Sequence, residues 1–310
     1  MNAARTKPTP GVLVVDKPRG PTSHDVVGRV RRIFGTREVG HAGTLDPMAT
    51  GVLVLALGEA TKLVPYLTNA AKEYDARLVL GSETDTLDAV GRVLREETPD
   101  DELLSALACV EGLSPRVLAA LEVERARTSQ EPPAFSAIQR GGERAYAKAR
   151  RGETFRLEER GVRVHSLTIT GMGPEPAPWV TLRVKADKGY YVRSLARDLA
   201  RGLGTLGHLA ELRRRESGGF TLEEASALTT EPDVLRERLI PLGVAARRAL
   251  PALTLSEAGE RDARVGKRVC RTDLEGDAPD GEPCAWFAAD GALVAIGVVG
   301  EDGRVLRGFG

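Results

Sequence analysis

The chain has 310 residues, 44 basic and 44 acidic side chains, zero formal net charge and 42% apolar residues. That composition belongs to an ordinary globular protein and excludes a low-complexity or strongly polyionic chain. No apolar run approaches the roughly 18 residues that span a bilayer, and Cys109, Cys270 and Cys284 form no C-x-x-C pair, which leaves neither a disulfide framework nor a cysteine zinc site.

Gly11 to Asp16 is a short apolar run, read as a buried strand. Thr22 to Phe34 follows as a helix. Val26, Val27, Val30, Ile33 and Phe34 recur at helical spacing, Thr22-x-x-Asp25 has a capping-box pattern, and Gly35 supplies the stop. A glycine-rich loop from Gly40 to Gly51 leads into the apolar run Val52 to Leu57 and a short helix near Ala60 to Leu67. A strand covers Tyr74 to Leu80, and two acidic helices fill 100–126. Pro132-Pro133 and Gly141-Gly142 mark 127–152 as a long excursion with one short basic helix near 143–151. Strands at 161–170 and 179–186 lead into Lys188-Gly-Tyr-Tyr-Val-Arg193, and Leu195, Leu199 and Leu203 mark a further helix. After Pro251, Asp290-Gly291 and Asp302-Gly303 lie between apolar runs and read as hairpin turns. The expected division is therefore a domain over 1–250 and a small all-β domain over 251–310. Strands and helices without regular alternation favour an α+β fold over a doubly wound sheet. The polar, proline-bearing stretch Met1 to Pro10 lacks the apolar core of a signal peptide, so the expected compartment is the reducing cytoplasm.

The zero net charge conceals segregation. Residues 1–72 sum to +5, 82–131 to −7, 139–165 to +4, 183–215 to +6 and 252–310 to −4. Like-signed stretches that converge make a local basic surface on a neutral protein, the footprint of a polyanionic ligand.

The densest unusual segment is Gly40-His-Ala-Gly-Thr-Leu-Asp-Pro-Met-Ala-Thr-Gly51. Its glycines permit close backbone approach or positive φ, and Pro47 restricts Asp46 toward an extended conformation. This is one way to expose a carboxylate nucleophile or base on a stiff loop. Asp-Pro also simply initiates turns, and His41 could equally be a surface loop residue. No second histidine or cysteine stands near enough in the sequence to make His41 and Asp46 a metal site. Gly202-Leu-Gly204-Thr-Leu-Gly207 fits the dinucleotide fingerprint G-x-G-x-x-G, but that pattern needs a strand before it and a helix after it. A helix precedes it here, so Gly204 reads as a C-terminal stop. Taken alone, Tyr74 is a core-edge tyrosine and Arg193 an arginine on a surface carboxylate.

Taken together, these segments resemble the bacterial TruB family of tRNA pseudouridine synthases. The resemblance rests on Lys17-Pro-Arg-Gly20 with Thr22-Ser23, the Gly40–Gly51 loop, Gly58-Glu-Ala-Thr-Lys62, Lys72-Glu-Tyr74, Thr84-Asp-Thr-Leu-Asp88, Pro132-Pro-Ala-Phe-Ser-Ala137, Lys188-Gly-Tyr-Tyr-Val-Arg193 and Leu212-Arg-Arg214, collinear over about 11–220. Pro-Met-Ala-Thr-Gly resembles the stand-alone bacterial enzyme more than the guide-RNA-dependent dyskerin-type subunits. Gln139 and Tyr190 depart from the family pattern, where lysine and threonine are frequent. The resemblance implies a mixed or antiparallel central sheet flanked by helices, with a PUA-like C-terminal β domain. It implies conversion of uridine to pseudouridine in the tRNA T-arm, with no cofactor, no metal, no obligatory protein partner and a monomeric protein. Asp46 is expected to act at ribose C1′, at uracil C6 or as a base; the alternatives stay open. Arg193 is expected to pair with it, and Tyr74 to stack on the uracil near C5. His41 is expected to occupy the space of flipped nucleotides, and Lys17, Gly43, Thr44, Lys188, Tyr191, Arg144 and Arg150 to contact substrate RNA. A different class of function is a tRNA-binding folding factor in which catalysis is secondary.

Overall fold

The computed structural model describes residues 9–109, 112–136, 138–140, 143–151, 153, 155 and 157–310. The chain runs through β1 (Gly11–Lys17), α1 (Ser23–Phe34), β2 (Val39–His41), β3 (Thr50–Leu57), a 3-10 turn (Gly58–Leu63), α2 (Val64–Asn69), β4 (Lys72–Leu80), β5 (Ser82–Thr84) and β6 (Val93–Glu96). Then come α3 (Asp101–Ala108), α4 (Pro115–Arg125), β7 (Ser129–Gln130), β8 (Gln139–Arg140), β9 (Glu143–Arg144), α5 (Ala145–Arg150), β10 (Arg160–Gly161), β11 (Val164–Gly173), β12 (Trp179–Ala186), α6 (Val192–Gly202) and β13 (Gly207–Ser217). The rest is β14 (Phe220–Thr221), β15 (Ser226–Ala227), α7 (Pro232–Glu237), β16 (Ile240–Pro241), α8 (Leu242–Ala249), β17 (Ala252–Leu255), α9 (Glu257–Arg264), β18 (Val269–Cys270), β19 (Leu274–Glu275), β20 (Pro283–Phe287), β21 (Leu293–Val298) and β22 (Asp302–Gly308). No helix among the described residues is long and apolar enough to cross a membrane.

Two compact units divide the chain. The first holds 1–47, 51–70 and 217–310, the second 48–50 and 71–216. In the first unit β1 is antiparallel to β3, with Val14 opposite Val54, and parallel to β15. Both faces of β1 and β3 are buried, which is why they read as continuous apolar runs rather than alternating ones. Helix α1 forms as its sequence dictates. Thr22 Oγ1 accepts the Asp25 N–H at 3.1 Å, the Asp25 carboxylate accepts the Thr22 N–H at 2.8 Å, and Gly35 closes the far end. The hydrogen bonds from Thr22 hold the Asp25 carboxyl below its ordinary value. Val26, Val27 and Val30 make the buried face.

The C-terminal strands form a six-stranded sheet in the order β18-β22-β21-β20-β17-β19. Asp290-Gly291 makes the expected hairpin turn, Asp290 Oδ1 accepting the Ala292 N–H at 2.9 Å. Asp302-Gly303 does not: both residues lie within β22, and the connection from β21 falls earlier. Gly303 is required for packing instead, since a Cβ there would lie 2.9 Å from the Trp286 ring. Helix α9 is a further difference from the all-β expectation. The core of the first unit draws on both sides of residue 250, with Val12, Val14, Val54 and Leu63 clustered with Ala285, Phe287, Ile296 and Phe309.

In the second unit the strand order is β11-β12-β4-β13. β12 is antiparallel to β4, with Val184 opposite Tyr74 and Leu182 opposite Ala76. β7 and β10 pair antiparallel, Gln130 opposite Arg160, closing the base of the excursion between them.

Candidate active site

In the first unit the part of the glycine-rich loop from Gly40 to Pro47 is anchored on both sides of its carboxylate. Ser23, buried at the start of α1, accepts the Leu45 N–H through Oγ at 2.9 Å and donates to the Leu45 carbonyl at 3.1 Å. The Gly20 N–H donates to the Pro47 carbonyl at 2.8 Å. Lys17, at the end of β1, is 0% exposed, and its Nζ donates to the carbonyls of Pro18 and Pro21 at 2.9 Å and of Pro47 at 3.4 Å. Burying an ammonium is costly unless its donors are matched, and here the matching acceptors are the backbone of the loop and of the turn beneath it. What the structure shows for Lys17 is thus support of the loop. Gly43 has φ +97°, a conformation that L side chains rarely adopt. Asp46 is half-buried between these anchors, and Thr44 is exposed. His41 ends β2 opposite Leu55, its ring 5.3 Å from that of His24 in an edge-on arrangement.

The second unit carries the other expected residues. Tyr74 is half-buried on β4, on the face that alternation gives to Lys72, Ala76 and Leu78. Burial pushes the Lys72 ammonium down to about 8, helped by the charges of Arg214 and Lys188 and opposed by Asp187. Lys188 is exposed in the turn before α6, and Tyr191 is the residue from which that helix starts. Arg193, in the first turn, is buried. Its Nη1 donates to the Thr86 carbonyl and its Nη2 to the Phe135 carbonyl, both at 3.1 Å, and Nη1 lies 3.7 Å from the buried Asp88 carboxylate. Tyr190, one of the two departures from the family pattern, has a buried hydroxyl whose phenol is pushed up by burial and by the Glu124 charge. The side chains of Arg144 and Arg150 lie outside the described residues.

Asp88 closes the Thr84–Asp88 motif, and sequence alone assigns it no role. Its Oδ1 accepts the Thr86 hydroxyl at 2.6 Å and the Val90 N–H at 3.1 Å, while its carbonyl accepts the Thr84 hydroxyl at 2.8 Å. The loop is tight enough to hold Leu87 at φ +61°. Four short oxygen-bearing side chains within Thr84–Asp88 were the available signal, because such residues bond local backbone in preference to regular structure. Gln130 was also missed; its carboxamide bonds both backbone groups of Tyr191.

Gly202 closes α6 and Gly207 opens β13, the reverse of the order a dinucleotide fingerprint requires. No cluster of three or more metal-ligating side chains occurs among the described residues. A cavity of about 430 Å³ lined by Arg29, Arg32, Thr229 and Thr230 includes none of the expected site residues.

Residues 31–192 match the family model described as TruB family pseudouridylate synthase (N terminal domain). The chain is 43% identical over 292 residues to tRNA pseudouridine synthase B of Arthrobacter sp. (strain FB24), covering 92% of each chain. It is 44% identical over 303 residues to the protein of the same name from Leifsonia xyli subsp. xyli (strain CTCB07), covering 96% of each. Among solved structures it resembles a chain of a Cbf5-Nop10-Gar1 complex with a TM-score of 0.71 and 25% identity, covering 97% of this chain and 84% of that one.

Proposed function

The chain belongs to the TruB family of pseudouridylate synthases, and from that premise we propose that it isomerises uridine to pseudouridine in tRNA, at the T-arm uridine numbered 55 in standard tRNA numbering. The observation that carries the reading is the identity to tRNA pseudouridine synthase B proteins over more than nine-tenths of both chains.

The reaction breaks the bond between uracil N1 and ribose C1′ and forms one between C5 and C1′. N1 gains a proton, C5 loses one, and no electrons are transferred. Asp46 is the proposed central carboxylate, acting at ribose C1′, at uracil C6 or as a base; retaining glycosidases give a precedent for a carboxylate at a sugar carbon. The anchored peptides on either side of it support that role, since a reacting group must be held in place to within a fraction of an ångström. Arg193 is the proposed cation that keeps the carboxylate ionised and oriented. Tyr74 is proposed to stack on the flipped uracil with its hydroxyl near C5, and His41 to stack where the base has left. The protein is proposed to act in the cytoplasm as a monomer without an obligatory protein partner.

The test uses an unmodified tRNA transcript tritiated at uridine C5, incubated in EDTA with wild-type protein and with Asp46→Asn. The expected result is tritium release by the wild type only, mapping to the T-arm uridine, with tRNA binding retained in the variant. Binding and annealing of tRNA by the wild type without release would overturn the enzyme reading in favour of an RNA-folding factor.

A further inference from the structure

Gln130 ends β7 and is 1% exposed. Its Oε1 accepts the Tyr191 N–H at 2.9 Å, and its Nε2 donates to the Tyr191 carbonyl at 3.2 Å. One side chain thus does for Tyr191 what a neighbouring strand would do. Tyr191 precedes α6 and offers that helix no side-chain cap. Its carbonyl also accepts the Leu195 N–H at 3.1 Å, so the amide of Gln130 holds the peptide on which the first turn is built. The next residue adds two bonds to the same turn: the Glu131 carbonyl accepts from Ser194 Oγ at 2.8 Å and from Arg197 Nη2 at 3.2 Å. Arg193 lies between these anchors.

We propose that Gln130 is a positioning residue for Arg193, its bridge to Tyr191 setting the rotation and height of the first turn of α6 and so the place of the guanidinium. The inference rests on the reading of Arg193 as a functional cation. A buried amide with donor and acceptor both matched can be replaced by a methionine of the same length, which fills the volume but releases Tyr191. The turn is then free to shift, and a displacement of about 1 Å at a catalytic group costs up to about a hundredfold in rate.

The experiment compares single-turnover rates, with enzyme in saturating excess over tritiated tRNA, for Gln130→Met, Gln130→Glu, Arg193→Lys and the Gln130→Met/Arg193→Lys double variant. Each rate is taken per folded molecule, alongside the Kd for tRNA. Gln130→Met is expected to slow turnover roughly tenfold to a hundredfold with Kd changed less than about twofold. Gln130→Glu keeps an acceptor for the Tyr191 N–H but turns a carboxylate oxygen onto the Tyr191 carbonyl, and is expected to slow turnover at least as much as Gln130→Met; it also carries the test if Gln130→Met does not fold. The double variant is expected to be no slower than Arg193→Lys, because residues acting as one unit are not additive. A merely structural glutamine would lower the folded fraction and leave these rates unchanged. Wild-type turnover by folded Gln130→Met, or full additivity in the double variant, overturns the proposal. Wild-type turnover by Arg193→Lys overturns the reading of Arg193 itself, and the proposal with it.

Discussion

Arg193 and Asp88 are buried together, with 9% and 5% of their side chains exposed. Such a pair contributes little net stability, yet removing one partner strands the other. Asp88→Asn is therefore expected to cost about 1–3 kcal/mol of unfolding free energy and to lower turnover more than tRNA affinity; equal loss in both would place Asp88 in binding instead. Lys72 sets a pH dependence. It holds its proton up to the ordinary 10.5 in the unfolded chain but only to about 8 in the folded one. Between those values the unfolded chain binds more protons, so stability rises with pH through the window 8 to 10.5, and the buried ammonium is a cost below it. Lys72→Met should erase that alkaline gain. Urea unfolding of both proteins from pH 7 to 10 measures it, and parallel curves would sink the assignment. Most of this chemistry was hidden in the sequence. Asp46 and its loop are visible because glycines and a proline cluster around one carboxylate, whereas Asp88 meets Arg193, and Gln130 the Tyr191 peptide, across separations in the chain that no spacing rule displays.

At the scale of elements, legibility followed the physics of each signal. Helix α1 could be read whole, from capping box to glycine stop, because its cap is local in sequence. Thr22→Ala should accordingly cost about 1 kcal/mol, seen as a lower urea midpoint with an unchanged m-value; an unaltered midpoint would mean that tertiary packing alone sets the start of the helix. Helix α9 lacks the apolar periodicity that marks α1. Its sequence, Glu257-Ala-Gly-Glu-Arg-Asp-Ala-Arg264, has no large apolar stripe, since the residues it buries are Gly259 and Ala263. Its local cues are polar ones: the Ser256 hydroxyl, which accepts the Gly259 N–H at 3.1 Å, and acidic residues in the first turn with arginines in the last. The Asp302-Gly303 pair misled for a different reason. Turn chemistry and close packing both select glycine, and only the Trp286 ring beside Gly303 reveals which one applies.

The whole molecule ties its C-terminal sheet to its first strands. Ala285, Phe287, Ile296 and Phe309 complete the core around Val12, Val54 and Leu63. A chain ending at residue 250 should therefore expose apolar surface and aggregate or bind a hydrophobic dye; a soluble, cooperatively unfolding fragment would refute this. The segregated charge predicts tRNA affinity that falls steeply with salt, and Lys188→Ala, removing an exposed cation, should reduce the log–log slope by about one without altering sequence preference.

The order in which the ribosome delivers these pieces matters. Residues 71–216 arrive as one uninterrupted stretch that carries nearly all of the second unit, so this middle of the nascent chain can fold while synthesis continues. The first unit is split: residues 11–70 emerge first, yet their core is finished only by side chains near residues 285–309. For most of translation the strands β1 and β3 wait with an apolar face uncovered, a state that invites chaperones. Such long-range closure slows folding, so pausing or truncation late in translation should leave the amino-terminal strands, rather than the middle of the chain, as the segment that goes astray.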